Sequence, residues 1–417
     1  MRVFKFGGAS VKDAKGVKNV INVLRKVGNS NIIIIVSAMG KTTNALEIVV
    51  DHYLKNNSEL NNSVDFIKKY HNEIIDELFE NKQHPIFEKI NSFISDMQTT
   101  LARNKSTQYD YIYDQIVCYG ELISTTIVSE YLSEEGYGNQ WLDVRDVIKT
   151  DDVYRDATVD WEITQQNIAE KVDKKGLTIT QGFIASNTNN FTTTLGREGS
   201  DYTAGIFAYC TNAASVTIWK DVPGVLNGDP RVFQNTELLS QISYEEAIEL
   251  AFYGASVIHP KTLQPLQRKE IPLYVKSFLN PEDDGTSVKK GQGLVPHMPC
   301  YIVKRNQLLL SLSSLDFSFI VEDNISEIFN LFHVYQLKVD LIQNSAISFS
   351  VCLDDKFNNF ENLLKELKAR FRVTYNKNVS LYTVRHFTDE AIQVLENDKD
   401  ILLKQITRET YQVVAKQ

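Results

Sequence analysis

Two rhythms of hydrophobic positions alternate along the chain. Residues 2–6 (Arg-Val-Phe-Lys-Phe) and 32–36 (Ile-Ile-Ile-Ile-Val) are short apolar runs, the second apolar at every position, as a central parallel strand covered on both faces must be. Further strands are predicted at 177–183, 216–222 and 272–277, with helices over 12–27, 118–135, 201–211 and 243–253 between them. Such alternation builds an α/β sheet. Between about 45 and 105 the chain turns polar with helical spacing and lacks β-branched runs, which predicts an inserted helical hairpin over the sheet edge, there for shape rather than chemistry. Ser243-Tyr-Glu-Glu246 fits a capping box, so Ser243 and Glu246 are assigned to helix initiation and not to catalysis.

Pro281, Gly285, Gly291, Gly293, Pro296 and Pro299 crowd one short stretch, the punctuation of a linker, and divide the chain into 1–298 and 299–417. Beyond the division the pattern predicts a strand (307–312), a helix with Ile325, Ile328, Phe329 and Phe332 on one face, strands at 338–342 and 346–353, a helix (357–370) and a strand (371–375). That order is a βαββαβ, ferredoxin-like unit.

Composition narrows the function classes. With 417 residues the chain exceeds the size, about 250–300, at which a single core stops growing. A net charge of −9 without a basic stripe excludes a large phosphate-backbone footprint, so no nucleic-acid partner is expected and any anion site must be local. No run approaches the roughly 18 apolar residues of a membrane span, and the amino terminus runs directly into the first strand; a cytoplasmic protein is expected. Cys118, Cys210, Cys300 and Cys352 lie far apart and read as reduced structural thiols. The histidines form no HExxH or His-x-His grouping, so no metal held mainly by protein is expected.

Four segments carry chemistry. In Lys5-Phe-Gly7-Gly8-Ala-Ser10 a strand lysine precedes two glycines and a serine at a helix mouth; the glycines admit an anion close to the backbone, and Lys5 and the helix terminus supply the positive potential a triphosphate needs. The spacing fits neither a Walker loop nor GxGxxG. Thr194-Leu-Gly196-Arg197-Glu-Gly199-Ser200-Asp201-Tyr-Thr203 joins an arginine able to grip a carboxylate bidentately with an aspartate able to orient a lysine or a magnesium ion. A helix cap by Ser200 or Asp201 would explain one of these residues and not the cluster. Trp219-Lys220-Asp221-Val-Pro-Gly224-Val-Leu-Asn227-Gly228-Asp229-Pro230-Arg231 leaves the carboxyl end of a strand, where open α/β sheets bind ligands, although its composition also suits plain turns. His259-Pro260-Lys261-Thr262 sets a lysine near a helix start, where a solvated cap is the alternative.

Taken together and in this order, the segments resemble those of the aspartate kinases, members of the amino-acid kinase fold, over nearly all of residues 1–298. KFGGAS resembles the family's opening segment, VSAMGKTTNAL (36–46) its second loop, GELIS (120–124) its Gly-Glu motif, and WLDVRD (141–146) with TDD (150–152) its central segment. SYEEAIELAFYGASVIHPKT is specific to aspartate kinases within the wider fold.

The resemblance implies an open, mostly parallel sheet between helices, and ATP-dependent phosphorylation of the L-aspartate side chain to an acyl phosphate, the entry to lysine, threonine and methionine synthesis. It implies that Lys5 stabilises charge on the transferring phosphoryl group and that Asp201 organises the lysines and metal. Lys5, Gly7, Gly8, Ser10, Lys220, Asp221, Arg231 and Lys261 would hold ATP, with Mg2+ bridging its phosphates. Arg197 would take the aspartate α-carboxylate and Glu121 its ammonium, with Ser37, Thr43 and Ser200 beside the substrate. The attacking carboxylate is already ionised at neutral pH, so no general base is required.

Two positions depart from the family pattern: Leu226, where a tyrosine is common, and Glu198, where glycine or asparagine is common. The carboxyl-terminal part resembles an ACT regulatory region. Within KVDLIQNSAISFSV (338–351), Asp340, Gln343, Asn344 and Ser345 are the candidate contacts to an amino-acid effector, lysine or threonine, at a dimer interface, and a homodimer or higher homo-oligomer is expected. A second ACT unit is expected in reduced form, from VSLYTVRHF (379–387) and a short tail, and the length leaves no room for a fused dinucleotide-binding dehydrogenase. The competing readings are an amino-acid kinase acting on glutamate, N-acetylglutamate or a nucleotide, which Glu121 and the HPKT segment oppose, and an inactive amino-acid sensor, which the joint presence of Lys5, Arg197 and Asp201 opposes.

Overall fold

A computed structural model describes every residue except 256, 257, 292, 317 and 417, and falls into two units. Ser256 and Val257, inside the segment leading to HPKT, lie outside the described residues. The first unit comprises Met1–Val225, Leu238–Ile248 and Val257–Val295; the second, Leu226–Glu237, Glu249–Ser256 and Pro296–Gln417.

The core of the first unit is a nine-stranded sheet. Its strands are β1 (Arg2–Phe6), β2 (Ile32–Val36), β3 (Gln140–Leu142), β5 (Leu177–Gln181), β8 (Ser215–Lys220), β9 (Gln241–Ile242), β10 (Leu273–Ser277), β11 (Thr286–Val288) and β12 (Leu294–Val295), while β4 (Lys149–Thr150), β6 (Ile184–Asn187) and β7 (Thr192–Thr194) form a small separate sheet. The order β12-β9-β11-β10-β8-β1-β2-β5-β3 puts β1 in the interior of the sheet, parallel to both β2 and β8. Every residue of β2 and β5 is buried; β2 accordingly lacks the alternation of a half-exposed strand, whereas β5 alternates in sequence and buries Thr178, Thr180 and Gln181 as well. In β1 alternation survives: Phe4 and Phe6 enter the hydrophobic core with α1 (Ala14–Val27), so Lys5 points to the other face, where α7 (Gly199–Thr211) packs. Asp13 starts α1 by accepting from the Gly16 N–H at 2.8 Å.

The region from 45 to 105 differs from a hairpin. It forms three helices, α2 (Thr42–Leu54), α3 (Leu60–Leu78) and α4 (Ile86–Arg103), and their apolar stripes (Val49, Val50; Val64, Ile67, Ile75; Ile86, Ile90, Met97) join the same core as α5 (Tyr109–Glu134). Helix α5 starts nine residues before the predicted 118, because Ile112, Tyr113 and Ile116 already face that core. The punctuated stretch 280–299 is not all linker: β11 and β12 lie in it and extend the sheet beside β9. Helices α6 (Trp161–Lys171), α8 (Tyr244–Tyr253) and α9 (Pro260–Arg268) complete the set, and the Ser243 hydroxyl accepts from the Glu246 N–H at the start of α8.

The second unit is built on a six-stranded antiparallel sheet, β14-β15-β13-β16-β18-β17. The sequence order is β13 (Cys300–Ser314), α10 (Glu322–Val334), β14 (Lys338–Asn344), β15 (Ser348–Asp354), α11 (Phe360–Lys368), β16 (Phe371–Arg385), α12 (Asp389–Glu396), β17 (Ile401–Ile406) and β18 (Thr410–Lys416). The later part of β13 through the start of β16 is the βαββαβ unit, closed by Ile328, Phe332, Leu363 and Leu367 against Leu310, Leu312 and Val351. Strands β13 and β16 are each fifteen residues long because both continue into a second layer, where Cys300–Lys304 and Leu381–Arg385 pair and α12, β17 and β18 add a single helix and two strands. The fold is thus the expected open sheet between helices with an antiparallel α+β region after it.

Candidate active site

The loops at the carboxyl ends of β1, β2 and β8 bring several sequence-predicted residues together. Lys5 leaves β1 toward the start of α7, where its ammonium lies 2.6 Å from Asp201 Oδ1, with side chains only 12% and 5% exposed. A carboxylate in the first turn of a helix gains from the free amides there, so α7 holds the anion and the anion holds the lysine. Gly7 lies beside the Lys5 ammonium: a side chain there would come within 3.3 Å of Nζ. The Ser10 hydroxyl donates to the Trp219 carbonyl at 3.2 Å, tying the first loop to the end of β8, where Lys220 and the exposed Asp221 follow. The hydroxyl of Ser10 is thereby engaged by the backbone.

Helix α5 supplies the acid of the Gly-Glu motif. Glu121 is 2% exposed; Oε1 accepts from the Ala38 N–H at 3.2 Å, and Oε2 has no hydrogen-bond partner among the described residues. Burial pushes its carboxyl up to about 8, opposed by the Ala38 and Glu121 amides and by Lys5. A buried carboxylate with one empty oxygen is built to receive a cation. Ser37 and Thr43 flank it, Ser37 by lending its carbonyl to the Ser124 hydroxyl at 2.7 Å and Thr43 from the first turn of α2.

Arg197 is exposed and, among the described residues, makes no ion pair, so its guanidinium is available to a ligand; Ser200 is buried in the first turn of α7. Between them Glu198 takes a left-handed conformation, φ 53° and ψ 28°. Glycine or asparagine accepts that conformation readily, whereas glutamate adopts it at a cost of about 1 kcal/mol. Lys261, in the first turn of α9, forms an ion pair with Asp156, and His259 caps the helix by accepting from the Lys261 N–H at 3.2 Å. Arg231 belongs to the second unit, where it is exposed and pairs with Asp229 at 2.7 Å.

Sequence reasoning missed Asp114 and the loop that holds Asp156. Asp114 is fully buried two helical turns before Glu121, and accepts from the Arg155 N–H (3.0 Å), the Thr194 N–H (2.9 Å) and the Thr194 hydroxyl (2.8 Å). It thus pins the loop of Asp156 and the strand before Arg197 to α5; burial outweighs these three donors and holds its carboxyl up to about 6. Two acids seven residues apart on an otherwise apolar helix face were the legible signal.

In the second unit, the Asp340 carboxylate is buried and paired with Lys304 at 2.8 Å and Lys338 at 3.6 Å. Gln343, Asn344 and Ser345 are exposed at the end of β14 and in the turn after it. No group of three or more His, Cys, Asp or Glu side chains converges as a metal site among the described residues, and no described helix is long and apolar enough to cross a membrane.

Comparison with known proteins follows the same geometry. The family described as Amino acid kinase family matches residues 1–277. The chain is 32% identical over 392 residues to Lysine-sensitive aspartokinase 3 of Escherichia coli (strain K12), covering 91% of this chain and 85% of that one. It is 30% identical to Aspartokinase 1, chloroplastic, of Arabidopsis thaliana over 84% of this chain and 63% of that one, and spans 36% of a bifunctional aspartokinase/homoserine dehydrogenase of Buchnera aphidicola. Among solved structures, E. coli aspartokinase III in complex with aspartate and ADP superposes with a TM-score of 0.83 at 29% identity, covering 100% of this chain and 96% of that one. The same enzyme in complex with lysine and aspartate gives 0.80 at 30% identity over 99% and 95%. Since likeness of this extent runs through both units and through the Lys5, Glu121 and Asp201 segments alike, the chain belongs to the amino acid kinase family and, within it, to the aspartokinases.

Proposed function

We propose that this chain transfers the γ-phosphoryl group of ATP to the side-chain carboxylate of L-aspartate, giving 4-phospho-L-aspartate, the first step toward lysine, threonine and methionine. The observation that carries the reading is the buried Lys5–Asp201 pair beside Gly7, within electrostatic range of the half-satisfied Glu121. Phosphoryl transfer requires in-line positioning and neutralisation of charge more than covalent chemistry, and a fixed ammonium in a water-poor site supplies the second. Gly7 and Gly8 open the backbone to the phosphates, and Lys220 and Lys261 add positive charge from the ends of β8 and α9. Lys261 exchanges Asp156 for phosphate when nucleotide binds.

Arg197 clamps the α-carboxylate and Glu121 receives the ammonium, which leaves the side-chain carboxylate as the free nucleophile. Mg2+ would neutralise phosphate charge when bound with ATP, and Asp201, in the first turn of α7, is the protein acid that would orient it. Residues 1–298 form the catalytic part and 299–417 the regulatory one, where Gln343, Asn344 and Ser345 meet an amino-acid effector, lysine or threonine, in a homodimer. Asp340 serves there by holding Lys304 and Lys338. Four buried cysteine thiols suit a reducing, cytoplasmic compartment.

Hydroxylamine trapping of the acyl phosphate, with MgATP and either aspartate or glutamate, tests the reaction. Aspartate-specific hydroxamate is expected, with suppression by lysine or threonine; hydroxamate from glutamate instead, or none from any acidic amino acid, rejects the reading.

The raised Glu121 pKa gives a pH signature. Only the carboxylate attracts the ammonium, so below about 8 aspartate binding must first remove a proton from the free enzyme. The kcat/KM for aspartate is therefore expected to climb about tenfold per pH unit from 6 toward 8 and then level off. Glu121→Gln should be slower throughout and show no such climb; a climb that persists in this variant assigns the titration to another group.

A further inference from the structure

Among the inserted helices, α3 reaches the loops of the active site through Tyr70. Its hydroxyl donates to the Lys12 carbonyl in the loop after β1, and burial together with the nearby Asp13 raises its pKa, which keeps it a donor. The same oxygen abuts Gly40 in the loop after β2: a side-chain carbon on Gly40 would lie 2.5 Å from Tyr70 Oη but 3.4 Å from the ring carbon that carries it. Gly40 has φ +55°, so the position requires glycine both for its backbone and for this approach.

Beneath the tyrosine the two loops touch through their backbones. The Gly40 N–H donates to the Gly8 carbonyl at 3.0 Å, and any side chain on Gly8 would meet the Ala38 and Gly40 carbonyls at 2.7 and 2.9 Å. One loop carries Gly7, Gly8 and Ser10, and the other joins Ser37 to Thr43, so their spacing sets the distance between the two substrates. We propose that Tyr70 is a positioning residue for phosphoryl transfer: its hydroxyl pins the nucleotide loop and the aspartate loop at one fixed separation. Neither loop needs Tyr70 to bind its own ligand, so the hydroxyl acts on turnover rather than on affinity. The inserted helices thus contribute to the chemistry as well as to shape.

The inference rests on the aspartate kinase reading, so hydroxamate formation by the unmodified protein is the first measurement, and its absence overturns both. Given activity, Tyr70→Phe is expected to lower kcat about 5–10-fold, with KM for ATP and for aspartate within about twofold and an unchanged melting temperature, since the ring stays packed. Gly40→Ala should lower kcat further, because its methyl group meets the hydroxyl. Adding Tyr70→Phe to Gly40→Ala should then restore several-fold of the loss, because the phenyl ring leaves ordinary contact distance. Wild-type kcat in Tyr70→Phe, a loss confined to KM, or simple multiplication of the two losses in the double variant overturns the role.

Discussion

Replacing Lys5 with alanine is expected to lower kcat by about 10²–10³-fold, the typical cost of removing one group aimed at charge that develops in the transition state. Lys5 lies on a fully paired interior strand, so its backbone is fixed by β2 and β8 whatever the side chain. Asp201, however, loses its partner at 5% exposure, and an orphaned buried carboxylate costs roughly 3 kcal/mol, partly offset by the amino terminus of α7. The stability and turnover effects separate in the double variant Lys5→Met with Asp201→Asn. Its melting temperature should return toward that of the unmodified protein, and its turnover should not. Thermal denaturation and steady-state hydroxamate rates decide it, and unchanged turnover in Lys5→Ala removes Lys5 from the mechanism.

Arg197→Ala is expected to raise the KM for aspartate about 10–100-fold, the equivalent of the roughly 1.5–3 kcal/mol of a charge-assisted clamp, with little change in the KM for ATP. The side chain is exposed and forms no ion pair among the described residues, so its loss disturbs no packing and the melting temperature should hold. Arg197→Lys should recover only part of the affinity, because an ammonium cannot engage both carboxylate oxygens in a planar fork. A change confined to ATP rejects the assignment.

Fold and site were legible to different degrees. The unbroken isoleucine run of β2 announced a strand covered on both faces, and the Gly-Gly turn after Lys5 and the Arg197–Asp201 cluster marked loops with more polar chemistry than a turn needs. The short strands β3, β4, β9 and β12 gave no signal, since two or three residues are too few to show a period, and they exist through hydrogen bonds to neighbours distant in sequence. Fifteen-residue β13 and β16 were read too short because each passes from one helix-covered layer to another and its alternation is interrupted at irregularities near Gln307.

What the sequence by itself determined is the alternation of strands and helices, the identity of the charged groups and, through segment order, the family. Local periodicity and side-chain chemistry are encoded within a few residues, so they need no tertiary context. Only the tertiary structure decided that Lys5 and Asp201, 196 positions apart, pair in a buried pocket, that Asp114 ties two loops to α5, that Asp340 is spent on Lys304, and that Tyr70 closes over Gly40. Each of these depends on which groups burial brings within a few ångströms, and the pairing strength of a buried charge or hydroxyl is set by the water it has lost, a property of the packed molecule and not of any segment of its chain.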